Sequence, residues 1–163
     1  MKFKQLIKLY ESEQAGPYVR TNSDLNTTTY YKYPNYTVRH RLGGPAYISG
    51  GYRAWYKDGL RHREDGPAII SPAGSEYWYQ NDQLHRLGGP AYISGGCRAW
   101  YKDGLRHRED GPAIEYTSGA GEWYLHGKQL SPTEIEEQEQ KIAIDKQIAS
   151  DENNAISGLW STL

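Results

Sequence analysis

The stretch HRLGGPAYISGGYRAWYKDGLRHREDGPAI, residues His40–Ile69, returns as HRLGGPAYISGGCRAWYKDGLRHREDGPAI, residues His85–Ile114, with Cys97 in place of Tyr52 as the single change. Each copy is itself two shorter units. His-Arg pairs stand at 40–41, 62–63, 85–86 and 107–108, spaced 22, 23 and 22 residues apart. Gly-Pro-Ala follows each pair, at 44–46, 66–68, 89–91 and 111–113. An aromatic pair closes each unit: Trp55-Tyr56, Trp78-Tyr79, Trp100-Tyr101 and Trp123-Tyr124. Self-similarity at a fixed period is the signature of a stacked repeat, and four copies of a unit of about 22 residues are clear.

Each unit reads as a β-hairpin. PAYIS is a β-prone run, GG is a turn that accepts positive φ, and YRAWY is a second run. KDG then reverses the chain, because Asp-Gly is among the strongest short turn signals. SPAGSEYWYQND and TSGAGEWYLHG lengthen the first turn by one residue, which accounts for the 23-residue spacing. The link LRHREDGP ends in a proline that has no N–H for a ladder, so it is expected to be loop. Alternation puts Arg53 and Trp55 on one face, with Tyr52, Ala54 and Tyr56 on the other. Ala46 and Ile48 likewise share a face opposite Pro45 and Tyr47. Ala46, Ala68, Ala91 and Ala113 form a row of small residues that lets layers approach closely. One such hairpin cannot bury enough surface to stand alone, whereas stacked copies can.

The pattern W-Y-x-x-G-x-x-H-R-x-D-G-P-A, best seen in AWYKDGLRHREDGPA at 54–68 and 99–113, resembles a variant of the MORN repeat. It is similar to the WYxNGxxHRxDGPA arrays of phage, bacterial and large-virus proteins. The likeness covers roughly residues 39–130 and implies a single-sheet β-hairpin solenoid, mainly β, with no agreed activity. Two units depart from it. Asp82 stands where glycine is expected, and Leu130 replaces the histidine where the array stops.

The expected organisation is an N-terminal cap with a degenerate repeat (1–38), four hairpin repeats (39–130), and a C-terminal helix and tail (131–163). Terminal hairpins need covering because they leave unpaired strand edges. In 12–38, SEQAGPY stands for HREDGPA and YYKYPNYTVRH for the Trp-Tyr run, with TNSDLNTTT as a polar, turn-forming insertion. The opening KFKQLIKLY suits a short helix or an edge strand. SPTE at 131–134 is a capping box with proline at the first helical position. The helix is expected to span PTEIEEQEQKIAIDKQIAS, with Ile135, Ile142 and Ala149 at heptad spacing and Ile148 nearby. That stripe suits docking on the sheet end or pairing with a second copy. DENNAISGLWSTL is expected to be loosely ordered unless Leu159 and Trp160 dock.

Composition narrows the functions. Fifteen Tyr and five Trp against one Phe favour half-buried sheets and contact surfaces over an oily core. One cysteine, Cys97, excludes an internal disulfide framework. The start has no apolar run long enough for a signal peptide, and no stretch is long enough to span a membrane, so a cytoplasmic protein is expected. If the chain is phage-encoded, that is the host cytoplasm. Net charge is +2 over 1–38, +2 over 39–130 and −5 over 131–163, without the basic excess of a nonspecific nucleic-acid binder.

No P-loop, dinucleotide fingerprint, G-x-S-x-G or H-E-x-x-H motif occurs. Histidines 40, 62, 85 and 107 recur with the repeat, whereas a catalytic histidine is singular. They read as structural contacts, packing on an aromatic or bonding a turn carbonyl. His126, in the turn YLHGK, is expected to be solvated. No enzyme, metal site or cofactor is expected. Stacking turns each repeat position into a row. Arg41, Arg63, Arg86 and Arg108 form one candidate ladder, with Arg53 and Arg98 on the tryptophan face and Tyr56, Tyr79, Tyr101 and Tyr124 as a parallel aromatic row. Such rows suit carboxylates, phosphates or a protein surface, unless each arginine pairs within its own repeat. Three functions follow. The first is a protein-binding scaffold, an inhibitor of a host defence protein carried by a phage or mobile element. The second is a binder of a phosphorylated small molecule or nucleic acid along the ladder. The third is a self-assembling component, joined through the C-terminal helix or the sheet edge as a homodimer or larger oligomer.

Overall fold

The computed structural model describes residues 18–160. The expectations for KFKQLIKLY, for SEQAGP and for docking of Leu159 and Trp160 fall on residues or side chains outside that description. The degenerate unit gives β1 (Tyr18–Asn22) and β2 (Thr27–Tyr31). The first full unit gives β3 (Tyr47–Ser49) and β4 (Tyr52–Ala54), then a short hairpin, β5 (Tyr56–Lys57) and β6 (Leu60–Arg61). The second repeats this as β7 (Ile69–Ile70), β8 (Glu76–Tyr77), β9 (Tyr79–Gln80) and β10 (Gln83–Leu84). The third gives β11 (Tyr92–Ser94), β12 (Cys97–Ala99), β13 (Tyr101–Lys102) and β14 (Leu105–Arg106). The fourth gives β15 (Ile114–Tyr116), β16 (Gly121–Glu122), β17 (Tyr124–Leu125) and β18 (Lys128–Gln129), followed by helix α1 (Pro132–Trp160). The fold is therefore mainly β, built of antiparallel hairpin repeats with one C-terminal helix, as the repeat pattern implies.

Each unit contributes two hairpins rather than one. The first joins a ten-stranded antiparallel meander, ordered β1-β2-β3-β4-β7-β8-β11-β12-β15-β16. The second, Tyr-Lys-Asp-Gly-Leu-Arg and its equivalents, forms a separate two-stranded ladder, and there are four of these. The run YRAWY is thus broken at its tryptophan. Trp55 donates its amide to Ala68 of the next unit and accepts from His62 with its carbonyl, and Trp78 and Trp100 do likewise. At the tryptophan the chain passes from one ladder to the other. The link expected as loop therefore begins as strand, because Leu60-Arg61 is pinned across a two-residue turn. Asp58 and Gly59 both have positive φ (51° and 85°), as a type I′ turn requires.

Backbone bonds tie the short hairpins to one another. Gly59 donates to Arg39, Asp82 to Arg61, Gly104 to Leu84 and Gly127 to Arg106. Arg41, Arg63, Arg86 and Arg108 donate to the carbonyls of Tyr56, Tyr79, Tyr101 and Tyr124 later in the same units. TNSDLNTTT, expected as a turn-forming insertion, is instead mostly strand. Only Ser23–Asn26 turns, because consecutive β-branched threonines favour the pleat and Thr29 is buried.

The core is made of small side chains. Ala46, Ala54, Ala68, Ala91 and Ala113 are fully buried, Ala99 nearly so, with Ile69 and Ile114 beside them. Register shows how both faces are used. Tyr47 pairs with Ala54 and Ala54 with Ile69, whereas Ile48 pairs with Arg53 and Arg53 with Ile70. The alternation read from the sequence holds for Tyr47, Ile48, Arg53 and Ala54, whereas Trp55 and Tyr56 lie beyond the end of β4. A core so thin leaves much of the stabilisation to the ladders and to side-chain clamps between and within units.

The capping box forms: Ser131 accepts from the Glu134 amide and Glu134 accepts from the Ser131 amide. Lys128 pairs with the same carboxylate, and with both serine contacts it holds Glu134 at about 2. The helix runs ten residues beyond the expected end at Ser150, through Trp160. Gln138 and Ile142 set it beside Glu109–Asp110, where a further unit's loop would otherwise pack.

Candidate functional site

Four of the candidate arginines are built into the scaffold. Arg63 lies with Cζ 4.2 Å from the centre of the Trp55 ring, Arg86 3.7 Å from Trp78 and Arg108 3.9 Å from Trp100. Arg41 lies 4.0 Å from Tyr30, which takes the tryptophan's place in the degenerate unit. Each also donates to the proline carbonyl four residues on, at 3.1–3.3 Å. Glycine follows from this. A Cβ on Gly66 would stand 2.6 Å from Arg63 Cζ, so only glycine lets the guanidinium lie between ring and backbone. In the second and fourth units Asp65 and Asp110 complete the clamp, and the arginines hold both carboxyls below the usual range. Arg108 also pairs with Glu115.

The histidines work as turn caps. Nδ1 of His40 accepts from the Asp58 amide at 3.0 Å, His62 from Asn81 at 3.3 Å, His85 from Asp103 at 3.2 Å and His107 from His126 at 3.2 Å. The bond expected to a turn carbonyl is thus made to the turn amide of the same unit's short hairpin, with the ring as acceptor. At His107 an accepting Nδ1 leaves the hydrogen on Nε2, while Nδ1 of His62 also meets Asn81 Oδ1 at 3.0 Å and Nδ1 of His85 the Asp103 carboxylate at 2.8 Å, which leaves Nε2 as the other ring nitrogen. In the second and fourth units that nitrogen faces Glu64 and Glu109, each at 3.3 Å. His126 is exposed but stacks on His107, ring centres 4.2 Å apart.

The tyrosine row is equally engaged, by arginines that the sequence reading passed over. Arg39 lies over Tyr47 and Tyr56, Arg61 over Tyr79, and Arg106 over Tyr124 while also bonding the hydroxyls of Tyr101 and Tyr124. Their common signal is the residue just before each His-Arg pair, which is arginine in three units and Leu84 in the third of the four. Tyr56 and the ladder arginines Arg41 and Arg63 line one groove together with Trp55.

Arg53 and Arg98 differ from all of these. Both are exposed, and neither side chain makes a hydrogen bond or ion pair among the described residues. Register puts them in one row across the ten-stranded sheet: Ile48, Arg53, Ile70, Glu76, Ile93, Arg98, Glu115. The isoleucines and Glu76 are half-buried. Arg53 and Arg98 are four strand steps apart, about 19 Å at the usual spacing. The groove between the first two loops, 540 Å³ and lined by Leu42, Trp55, Lys57 and Asp65 among others, is open and shallow.

No family model, curated protein or solved structure matches the chain. Among the described residues no helix is long and apolar enough to cross a membrane.

Proposed function

We propose that the chain is a non-enzymatic scaffold that binds a protein partner through the face carrying Arg53 and Arg98. The row Arg53–Ile70–Glu76–Ile93–Arg98 carries this reading. Two open guanidiniums bracket two isoleucines and Glu76 on a ladder whose geometry is set by backbone bonds, while the other repeat arginines are occupied. A rigid surface loses little entropy on binding, and arginine flanked by apolar side chains is a frequent centre of binding energy. The partner's surface carries acidic groups about 19 Å apart around an apolar patch. The likeness of the repeat to phage and bacterial arrays supports a partner in a bacterial host and an inhibitory role in the cytoplasm. Occupied guanidiniums at Arg41, Arg63, Arg86 and Arg108 weigh against a phosphate track along the ladder.

The test is affinity capture from bacterial lysate followed by mass spectrometry, with wild type and an Arg53→Glu/Arg98→Glu variant side by side. The expected result is one stoichiometric protein, lost from the variant. Repeated empty captures, or a partner retained by the variant, would overturn the proposal.

A further inference from the structure

Helix α1 presents two apolar stripes, and the repeat body uses one of them. At 1.5 Å per residue its 29 residues extend about 43 Å. Ile135, Gln138 and Ile142 are half-buried, and Gln138 donates to the Glu109 carbonyl at 2.6 Å. The same side carries Asp145 and Ala149 along a cleft of 340 Å³ facing Glu109 and Asp110, which Lys141 and Lys146 also border, Lys141 from the edge nearer Ile144. From Ala143 onward every described side chain of the helix is exposed.

Ile144 and Ile148 lie on the opposite side. At 100° per residue, Ile144 stands about 160° round the helix from Ile142, and Ile148 is one turn further along the same stripe. They are 60% and 51% exposed. Lys141 precedes Ile144 by three residues and Asp151 follows Ile148 by three, so all four share one stripe. The order cation, isoleucine, isoleucine, anion is symmetric about residue 146. A second copy of the helix laid antiparallel about that level sets Ile144 against Ile148 and Lys141 against Asp151, each twice over. Lys146, at the centre, points to the other side, where its charge helps lower the Asp110 carboxyl, so no like charges meet on the axis. A helix this long, with so few contacts to its own body, gains little from propensity alone.

We propose that the partner on this stripe is a second copy of the chain, joined as an isologous antiparallel helix pair. It uses none of the residues of the Arg53–Arg98 row, so the two proposals stand or fall separately. Four isoleucines and four charges make a small interface, and a Kd of roughly 1–100 µM is expected.

The test is sedimentation equilibrium of the full chain across that concentration range, with circular dichroism to verify the fold of each variant. Wild type should form dimers. Ile144→Lys/Ile148→Lys should raise the dissociation constant at least tenfold. Lys141→Glu and Asp151→Lys should each weaken the dimer, and the double exchange should restore it. A wild type that stays monomeric throughout, or an Ile144→Lys/Ile148→Lys variant that still dimerises, overturns the proposal. So does a Lys141→Gln variant that dimerises better than wild type, the outcome of a parallel pair in which Lys141 faces Lys141.

Discussion

The guanidinium of Arg86 stacks on the Trp78 ring, 3.7 Å from its centre, and bonds the Pro90 carbonyl at 3.1 Å. This contact uses the planarity of arginine as well as its charge. Arg86→Lys keeps the charge but loses both the stacking plane and the fork that reaches the carbonyl. The expected cost is about 1–2 kcal/mol of unfolding free energy, read from the urea midpoint. An unchanged midpoint would show the contact to be incidental.

The clamp depends on a missing side chain. In Gly66→Ala the new Cβ would meet Arg63 Cζ at 2.6 Å, so the arginine must leave its ring. A loss of about 1–3 kcal/mol is expected. Gly95 is the control, because a Cβ there meets nothing within 4 Å. Gly95→Ala should be near neutral. Equal costs at the two positions would mean that backbone freedom, not the clamp, sets the requirement for glycine.

Acid should loosen the array at His107. Burial, then the neighbouring His126, lowers its pKa below the ordinary 6.5, with Lys102 acting the same way and Glu109 opposing. A depressed histidine is protonated more readily unfolded than folded. Its stabilisation is therefore complete above about pH 6.5 and is lost as pH falls through the folded value. Comparing urea midpoints at about pH 8 and about pH 5 should show a drop that shrinks in His107→Gln.

Asp82 marks the second repeat unit's departure from glycine. It keeps the left-handed turn, φ 66°, and its carboxylate accepts from the Arg61 amide as well as pairing with the Arg61 guanidinium. Asp82→Asn retains the turn and the amide bond and should cost under about 1 kcal/mol. Asp82→Ala loses both and adds strain, and about 1–3 kcal/mol is expected by thermal or urea unfolding.

The period and the Asp-Gly turns made the stacked hairpins legible, because a repeat that cannot bury its own face must pair with the next. Alternation placed Arg53 and Ala54 on opposite faces correctly. The second ladder was not legible. Leu60-Arg61 is too short to show a strand pattern, and its pairing is fixed only by the turn before it and by the next unit's Asp82. The role of Arg63 was hidden for a similar reason. Sequence places Arg63 beside Asp65 but eight residues from Trp55, and only the fold-back of the short hairpin joins them. Thr27–Thr29 were read as turn-formers among Asn, Ser and Asp neighbours, although threonine itself favours strand.

At each tryptophan the backbone crosses between the two tracks, which therefore share one pitch and lengthen only in whole steps. Units carrying Arg-Leu-Gly-Gly alternate with units carrying Arg-Glu-Asp-Gly, so the true graduation is the 45-residue pair. Excising one pair would bring every joint back to a familiar neighbour and shorten the distance between the two ends by about 19 Å. Excising a single unit would keep the backbone tracks aligned yet set two like loops side by side. The molecule is thus a ruler marked in double intervals, and its reach is set by how many pairs the gene spells out.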